Sequence, residues 1–121
     1  RAGLESVAYQ MVVYLEFMKK SRNLDLKNLS IDGGMVKNKF FLQIISDLMD
    51  IELSIPEMED MSSYGALLFG IQYYNNYNSF NDLRVFEVKN SKITPNNNKD
   101  IRNSYSSWKE IVDKHFIKNQ D

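Results

Sequence analysis

Apolar residues recur at helical spacing in several stretches of the chain, beginning at its first residues. The first stretch has apolar side chains at i, i+3 and i+4 positions, which predicts an amphipathic helix. Its apolar positions are Leu4, Val7, Ala8, Met11, Leu15 and Met18. The basic residues Lys19, Lys20 and Arg22 carry a charge that is favourable near a helix C-terminus. We expect the apolar stripe to be the face that this helix buries.

Two short segments are predicted to be strands. In the segment 26–32, Leu29 and Ile31 lie on one face of a short strand. The segment 51–55 alternates apolar and polar residues, and Pro56 ends it. These two strands are expected to form a parallel pair.

Helices are predicted after each of these strands. One begins near Asn38, and the next begins within 60–62, where Asp60 or Ser62 could cap it. The apolar face of the earlier helix consists of Phe41, Ile44, Ile45 and Leu48. The later helix has apolar positions at Tyr64, Leu67, Leu68, Ile71 and Tyr74.

Small residues make one side of this third helix narrow. They are Gly65, Ala66 and Gly70. An interior glycine costs about 1 kcal/mol of helix stability relative to alanine. Close approach to a sheet or a ligand would justify that cost.

The rest of the chain has a weaker pattern. Residues 83–88 are predicted to be a short extended segment, and 90–98 a polar loop. Asp100 is predicted to cap a last helix. The apolar stripe of that helix is Ile101, Tyr105, Trp108 and Val112.

The order of these elements predicts an α/β fold with a right-handed strand–helix–strand crossover. Two strands are too few for a stable sheet, which suggests that further strands lie earlier in a longer parent chain. The absence of an initial methionine and a start inside a helical pattern suggest the same.

Composition excludes several classes of function. The net charge is −1, and no basic patch of the kind that binds nucleic acid is visible. The chain has no cysteine, which excludes disulfides and thiolate metal sites and fits a cytoplasmic location. No apolar run approaches the roughly 20 residues needed to cross a bilayer. We therefore expect neither a nucleic-acid partner nor a membrane span.

The segment 32–38 carries the candidate chemistry. Gly33 and Gly34 form a turn between a strand and a helix, where the backbone can approach a phosphate or nucleotide. The amide of Asn38 can both donate and accept hydrogen bonds, as an adenine edge requires. An ordinary turn and a simple helix cap are the alternative interpretations. The spacing is that of neither a Walker A loop nor a Rossmann fingerprint.

Several ordered segments resemble one known family. Residues 1–10 resemble the motif R-A-x-L-E-S-I-A-(F/Y)-Q, and residues 30–34 resemble a V-D-G-G turn. The segment 38–48 resembles N-x-F-L-M-Q-F-x-S-D-I-L. Pro56 and then Gly65–Ala66 resemble a later R-P stretch and a G-A-A helix. Tail residues similar to a closing Y-x-x-W-K-x-A-V are Tyr105, Trp108, Lys109 and Val112. In this order the segments resemble the C-terminal half of the glycerol kinase family, within the FGGY carbohydrate kinases.

This resemblance implies an actin-like, RNase H-like ATPase fold, with this chain as the back portion of the second domain and a C-terminal helix. Residues 1–74 would form an α/β core, and 75–121 a loop and the C-terminal helix. In the family, the Gly-Gly turn lies along the nucleotide, and the asparagine four residues later contacts its adenine side. Carried over, the nucleotide contacts are Gly34 and Asn38, with Gly33 shaping the turn.

The resemblance also implies cofactors and partners. The cofactors would be ATP or ADP with Mg²⁺, and the substrate would be glycerol or a related polyol bound mainly by an N-terminal part. No catalytic or metal-binding residue is assigned here, and this segment alone is expected not to phosphorylate glycerol. A homodimer is left open.

Gln43 and Asp47 match the family pattern and are interpreted as structural helix residues.

The chain departs from the family pattern at several positions. Leu67 stands where the family has a smaller alanine, and Asp50 replaces a glycine after the second helix. Residues 61–64 replace Thr-Thr-Ala-Leu. Such differences are typical of a divergent member. Another FGGY kinase, such as one for xylulose, and a non-catalytic module derived from the fold are the alternative functions.

Three other features have ordinary structural interpretations. His115 is expected at the surface or at a helix end. The acidic group Glu57, Glu59 and Asp60 could recruit Mg²⁺, but solvated loop charge with a helix cap is the favoured interpretation. Of three neighbouring tyrosines, the helix end is expected to pack two and expose one. These tyrosines are Tyr73, Tyr74 and Tyr77.

Overall fold

The computed structural model describes residues 1–58, 60–79, 81–83 and 87–117. The helices are α1 (Ala2–Arg22), α2 (Lys39–Met49), α3 (Met61–Tyr74) and α4 (Lys99–Val112). The strands are β1 (Asn28–Ser30), β2 (Glu52–Pro56) and β3 (Asn90–Ile93). A 3₁₀ helix, Gly34–Lys37, lies between β1 and α2, and a π-helical turn, Asp113–Ile117, follows α4. The extended segment predicted at 83–88 falls partly on residues 84–86, which lie outside the described residues.

The described strands form one sheet in the order β1-β2-β3. β1 and β2 are parallel, with Leu29 opposite Leu53, which confirms the predicted parallel pair. β2 and β3 are antiparallel, with Leu53 opposite Ile93. β2 is therefore the central strand, and its Leu53 is fully buried.

The strand β3 corrects the prediction that 90–98 is entirely a loop. Its residues are mostly polar and exposed, so they lack the apolar alternation by which strands are recognised. The strand is held by backbone pairing with β2 and by the ion pair of Lys92 with Glu52, at 2.8 Å. Polar side chains on an edge strand also discourage pairing with other chains.

Helix α2 carries the predicted apolar face into the core. Phe41, Ile44 and Ile45 are buried as expected, and Leu48 is partly buried against the same cluster. Leu42 is also fully buried, so the buried surface of α2 is wider than the predicted stripe. Because α2 packs between α1, α4 and the sheet, it has no fully solvated side.

The buried face of α1 differs from the predicted stripe. The structure buries Ala8, Tyr9 and Val12, whereas Val7, Met11 and Met18 of that stripe are about half exposed. Apolar residues lie on more than one side of α1, so periodicity alone could not select the buried side. Contact with α2 and α4 selects the side that carries Tyr9.

Helix α4 joins this core through an aromatic cluster. Tyr105 is buried, and its ring lies 5.4 Å from that of Tyr9, while the ring of Trp108 lies 5.5 Å from Tyr9. The ammonium of Lys109 contacts Glu16 of α1 at 2.9 Å. Helices at opposite ends of the chain are therefore packed directly against each other.

Asn98, and not the predicted Asp100, caps α4. The Oδ1 of Asn98 accepts hydrogen bonds from the backbone N–H groups of Asp100 and Ile101. Asp100 lies in the first turn instead, where its negative charge is favourable near the helix N-terminus.

Helix α3 begins where predicted but buries none of its residues. Leu67 is 56% exposed, so it crowds nothing within the described residues. A side chain at Gly65 or Gly70 would meet no atom within 4 Å, so the predicted close approach is not made there. The prediction for the tyrosines is also wrong, because Tyr73 and Tyr74 are 88% and 85% exposed and Tyr77 is exposed as well.

Candidate functional site

A cleft of about 500 Å³ separates the turn after β1 from the connection between β2 and α3. Its volume lies in the range of small-molecule sites. One wall comes from the glycine turn and the 3₁₀ helix, and the other from the end of β2 and the start of α3. The lining residues are Asp32, Gly33, Gly34, Val36, Lys37, Ile55, Pro56, Glu57, Met58, Asp60, Met61 and Ser62. The parallel order of β1 and β2 brings the C-terminal ends of both strands to this cleft.

Gly33 makes the turn possible. Its φ is 113°, a conformation that residues with a Cβ rarely adopt. Its carbonyl accepts a hydrogen bond from the Val36 N–H at 3.2 Å, which starts the 3₁₀ helix. The predicted role of Gly33 in shaping the turn agrees with this geometry.

Gly34 lines the cleft without such a backbone requirement. Its φ is not positive, and a Cβ at this position would meet no atom within 4 Å. Packing within the described residues therefore does not explain why glycine stands here. The open space above Gly34 faces the cleft and leaves its backbone accessible to a ligand.

Asn38 lies at the N-terminus of α2 and caps that helix. Its Oδ1 accepts a hydrogen bond from the Phe41 N–H at 3.0 Å, and the side chain is half-buried. Asn38 does not line the cleft as Gly33 and Gly34 do. The structure thus supports the capping interpretation, and the adenine contact stays a prediction.

The opposite wall begins at Asp60, the predicted cap of α3. Its carboxylate accepts hydrogen bonds from the Ser63 hydroxyl at 2.6 Å and from the Ser63 N–H at 2.9 Å. These two hydrogen bonds lower the pKa of Asp60 below its ordinary value. Like any carboxyl group with an ordinary or lowered pKa, Asp60 is ionised at neutral pH, so this wall is negative.

Charge is unevenly distributed around the cleft. Asp32, Glu57 and Asp60 contribute carboxylates, and Lys37 is the one basic side chain among the described lining residues. The described part of the chain contains no group of three His, Cys, Asp or Glu side chains arranged to hold a metal ion. Of the predicted acidic group, Glu59 lies outside the described residues.

Gln43 and Asp47 hold the helix α2 to the segment after β3. Asp47 is 1% exposed, and its Oδ1 accepts hydrogen bonds from Gln43 Nε2 at 2.9 Å and from the Asn96 N–H at 2.6 Å. Gln43 Nε2 also donates to the Thr94 carbonyl at 2.9 Å. These contacts agree with the structural role predicted for both residues.

Sequence reasoning missed Lys37 and the end of β2 as parts of this site. The sequence indicates Pro56 as the end of a strand and as part of the family resemblance, but not as part of a site, and it gives Lys37 no particular role. Lys37 lines the cleft because residues Gly34–Lys37 form a 3₁₀ helix, which no pattern in the sequence indicates. The contribution of Pro56 could not be recognised before the pairing of β1 with β2 was known.

The side chain of His115 is exposed in the π-helical turn after α4, in agreement with the predicted surface position.

Among the helices that the structure describes, none combines the length and the apolar content that crossing a membrane requires.

Comparison with known proteins gives consistent results. The model of the FGGY family of carbohydrate kinases, C-terminal domain, matches residues 1–72. Glycerol kinase of Haloferax volcanii is 31% identical over 114 residues, covering 94% of this chain and 22% of that protein. Glycerol kinase of Vibrio atlanticus is 33% identical over 113 residues, covering 93% of this chain and 22% of that protein. The chain therefore spans less than a quarter of the length of these relatives.

A solved structure shows the same fold. The crystal structure of Plasmodium falciparum glycerol kinase with ADP matches with a TM-score of 0.71 and 21% identity, over 93% of this chain and 23% of that one. This likeness confirms the predicted α/β fold of the actin-like ATPase type.

Proposed function

The chain belongs to the FGGY family of carbohydrate kinases, as the C-terminal domain, and from this premise we propose that it forms the ATP-binding half of a kinase active site. The reaction would transfer the γ-phosphate of ATP to glycerol or a related polyol. Glycerol is favoured over xylulose because the relatives described above are glycerol kinases.

The observation that carries this proposal is that the open space above Gly34 lies in the cleft lining. A glycine whose added Cβ would touch nothing in the protein leaves room for a ligand to reach its backbone. The cleft beside it is large enough for part of a nucleotide. Apolar side chains of the opposite wall, from Ile55, Pro56 and Met61, offer a surface for a purine or ribose.

The remaining parts of the proposal concern Asn38, the metal and the substrate. Asn38 would contact the adenine through its amide N–H groups, because its Oδ1 already accepts from Phe41. Mg²⁺ would enter with the nucleotide and neutralise phosphate charge. The polyol, the catalytic base and the first phosphate loop would be supplied by other parts of the protein, so this segment alone would not turn over glycerol. We place the enzyme in the cytoplasm.

The substitution Gly34→Val tests the proposal. Because there is space for the new side chain and φ is not positive, the thermal unfolding midpoint should stay close to that of the parent protein. The side chain should nevertheless enter the cleft and weaken ADP and ATP binding, by roughly tenfold or more if it blocks a backbone contact. Isothermal titration calorimetry of the full-length protein would measure this change.

Gly70→Val is the matched control, because Gly70 is equally open but lies on α3 away from the cleft. It should leave nucleotide affinity unchanged. If Gly34→Val binds ADP as tightly as the parent protein does, Gly34 is not part of the nucleotide site. Failure of the parent protein to bind ADP or ATP at all would refute the proposed function.

A further inference from the structure

We propose that Lys37 supplies the positive charge that holds a phosphate group of the nucleotide in this cleft. The inference rests on the proposed function and adds a binding residue that neither the glycine turn nor Asn38 provides. The observations that carry it are the geometry of the 3₁₀ helix, the distribution of charge in the cleft and the hydrogen bond of Asn38.

The 3₁₀ helix places Lys37 on the same side as Gly34. Side chains three residues apart eclipse each other in this type of helix. Gly34 and Lys37 are its first and last residues, and both line the cleft. Because Gly34 has no side chain, the flexible stem of Lys37 can extend over the open space above it.

The carboxylates of the cleft make a nearby cation favourable for phosphate binding. Asp32, Glu57 and Asp60 are negative, and they repel the phosphates of a nucleotide. Two hydrogen bonds from Ser63 stabilise the ionised form of Asp60. Lys37 is the one basic side chain among the described residues of the lining, so a phosphate group is most stable beside it, away from the α3 wall.

Asn38 cannot take over this role. It carries no charge, its Oδ1 accepts from Phe41, and it does not line the cleft. The ammonium of Lys37 has three N–H donors, which allow it to contact a phosphate while keeping an interaction within the protein.

The test compares ligands that differ in phosphate content. Adenosine, ADP and ATP are titrated into the full-length protein and into Lys37→Gln, at low and at moderate ionic strength. Lys37→Gln should bind ADP and ATP about fivefold more weakly, on the scale of one exposed ion pair. Its affinity for adenosine should be unchanged, and the loss for ADP should shrink as salt is added.

Two variants control for charge and for folding. Lys39→Gln removes the same charge two residues away, on a side chain that lines a different groove, and should leave all three affinities unchanged. Lys37→Arg keeps the charge and should bind ADP nearly as the parent protein does. Thermal unfolding midpoints should be similar for all of these exposed substitutions.

The outcomes separate this inference from the proposed function. If the parent protein binds ADP and Lys37→Gln binds it equally well, Lys37 is not a phosphate contact and the proposed function stands. An equal loss of affinity for adenosine and ADP would also overturn the phosphate contact. If the parent protein binds no nucleotide, both proposals fail.

Discussion

Individual backbone conformations explain two features of the sequence around α2. Gly33 has a φ of 113° before the helix, and Asp50 has a φ of 55° after it. The family pattern has a glycine at the position of Asp50, and the structure shows why, since glycine adopts left-handed conformations most easily at a helix C-terminus. Aspartate tolerates this conformation better than most residues, which allows the fold to accept it here.

Asn38 caps α2, and a well-chosen substitution can test its proposed nucleotide contact separately from this cap. Asn38→Ala removes the cap and should cost about 1 kcal/mol of stability, so a loss of nucleotide binding in that variant would be ambiguous. Asn38→Ser keeps an oxygen that accepts from the Phe41 N–H but lacks the amide donors. It should retain the stability of the parent protein and bind ADP roughly three- to tenfold more weakly, the value of one lost hydrogen bond.

Urea unfolding and ADP titration of the three proteins would provide the comparison. If Asn38→Ser binds ADP as tightly as the parent protein while Asn38→Ala is less stable, Asn38 is a helix cap and nothing more. Position 38 would then be removed from the nucleotide site, while the role proposed for Gly34 would be unaffected.

At the scale of elements, α2 and α3 contribute very differently to stability. Both are rich in apolar residues, but α2 is packed between other elements, whereas α3 has no buried residue in the described structure. The Asp60 cap and the backbone hydrogen bonds of the helix hold the first turn of α3, where Tyr64 is only partly buried. The position of α3 therefore matters mainly because its N-terminus forms one wall of the cleft.

The same substitution in the two helices should give contrasting results. Leu42 is fully buried, and Leu42→Ala should lower the free energy of unfolding by roughly 2–5 kcal/mol, through lost burial and a residual cavity. Leu67 is largely exposed, and Leu67→Ala should change the free energy of unfolding by less than about 0.5 kcal/mol. Urea denaturation measures both. A large loss for Leu67→Ala would show that α3 is packed against another part of the protein.

At the scale of the whole molecule, α1 and α4 close the core from opposite ends of the sequence. Tyr9, Tyr105 and Trp108 form a cluster of rings between them, and Lys109 pairs with Glu16 beside it. The hydroxyl of Tyr105 is buried without a hydrogen-bond partner among the described residues. Burial raises the pKa of Tyr105 from 10.0 to about 12.

This shift predicts a loss of stability in alkaline solution. Below pH 10, Tyr105 is protonated in the folded and the unfolded chain, and its contribution to stability is complete. Between pH 10 and about 12 the unfolded chain loses the proton first, so the free energy of unfolding falls as pH rises. Urea denaturation at several pH values in this range, followed by circular dichroism, would measure the decrease.

Tyr105→Phe is the control for that decrease. It removes the ionising group and a buried hydroxyl without a partner, so the variant should be at least as stable as the parent protein at pH 8. Its loss of stability in alkaline solution should be smaller than that of the parent protein. The remaining loss comes from Tyr9, because burial raises the pKa of Tyr9 as well. An identical pH dependence in variant and parent would show that Tyr105 does not contribute.

Much of the fold could be predicted from local patterns. The spacing of Phe41, Ile44 and Ile45 predicted α2 because a helix packed on one side of a core repeats its apolar residues every three or four positions. The alternation at 51–55 predicted the central strand, and Asp60 predicted the start of α3. The glycine turn was visible too, because few other residues adopt the conformation of Gly33.

The sequence alone thus determined the helices α2 and α3 and the turn at Gly33 and Gly34, since these depend on residues close together in the chain. The parallel pair of strands was predicted from the order strand, helix, strand, although its partners are distant in sequence. Tertiary structure decided which side of α1 is buried, that the polar segment Asn90–Ile93 is a strand, and that Lys37 and Pro56 line one cleft with the glycines. Each of these depends on contacts between residues far apart in sequence, and such contacts leave no periodic pattern in the segments that make them.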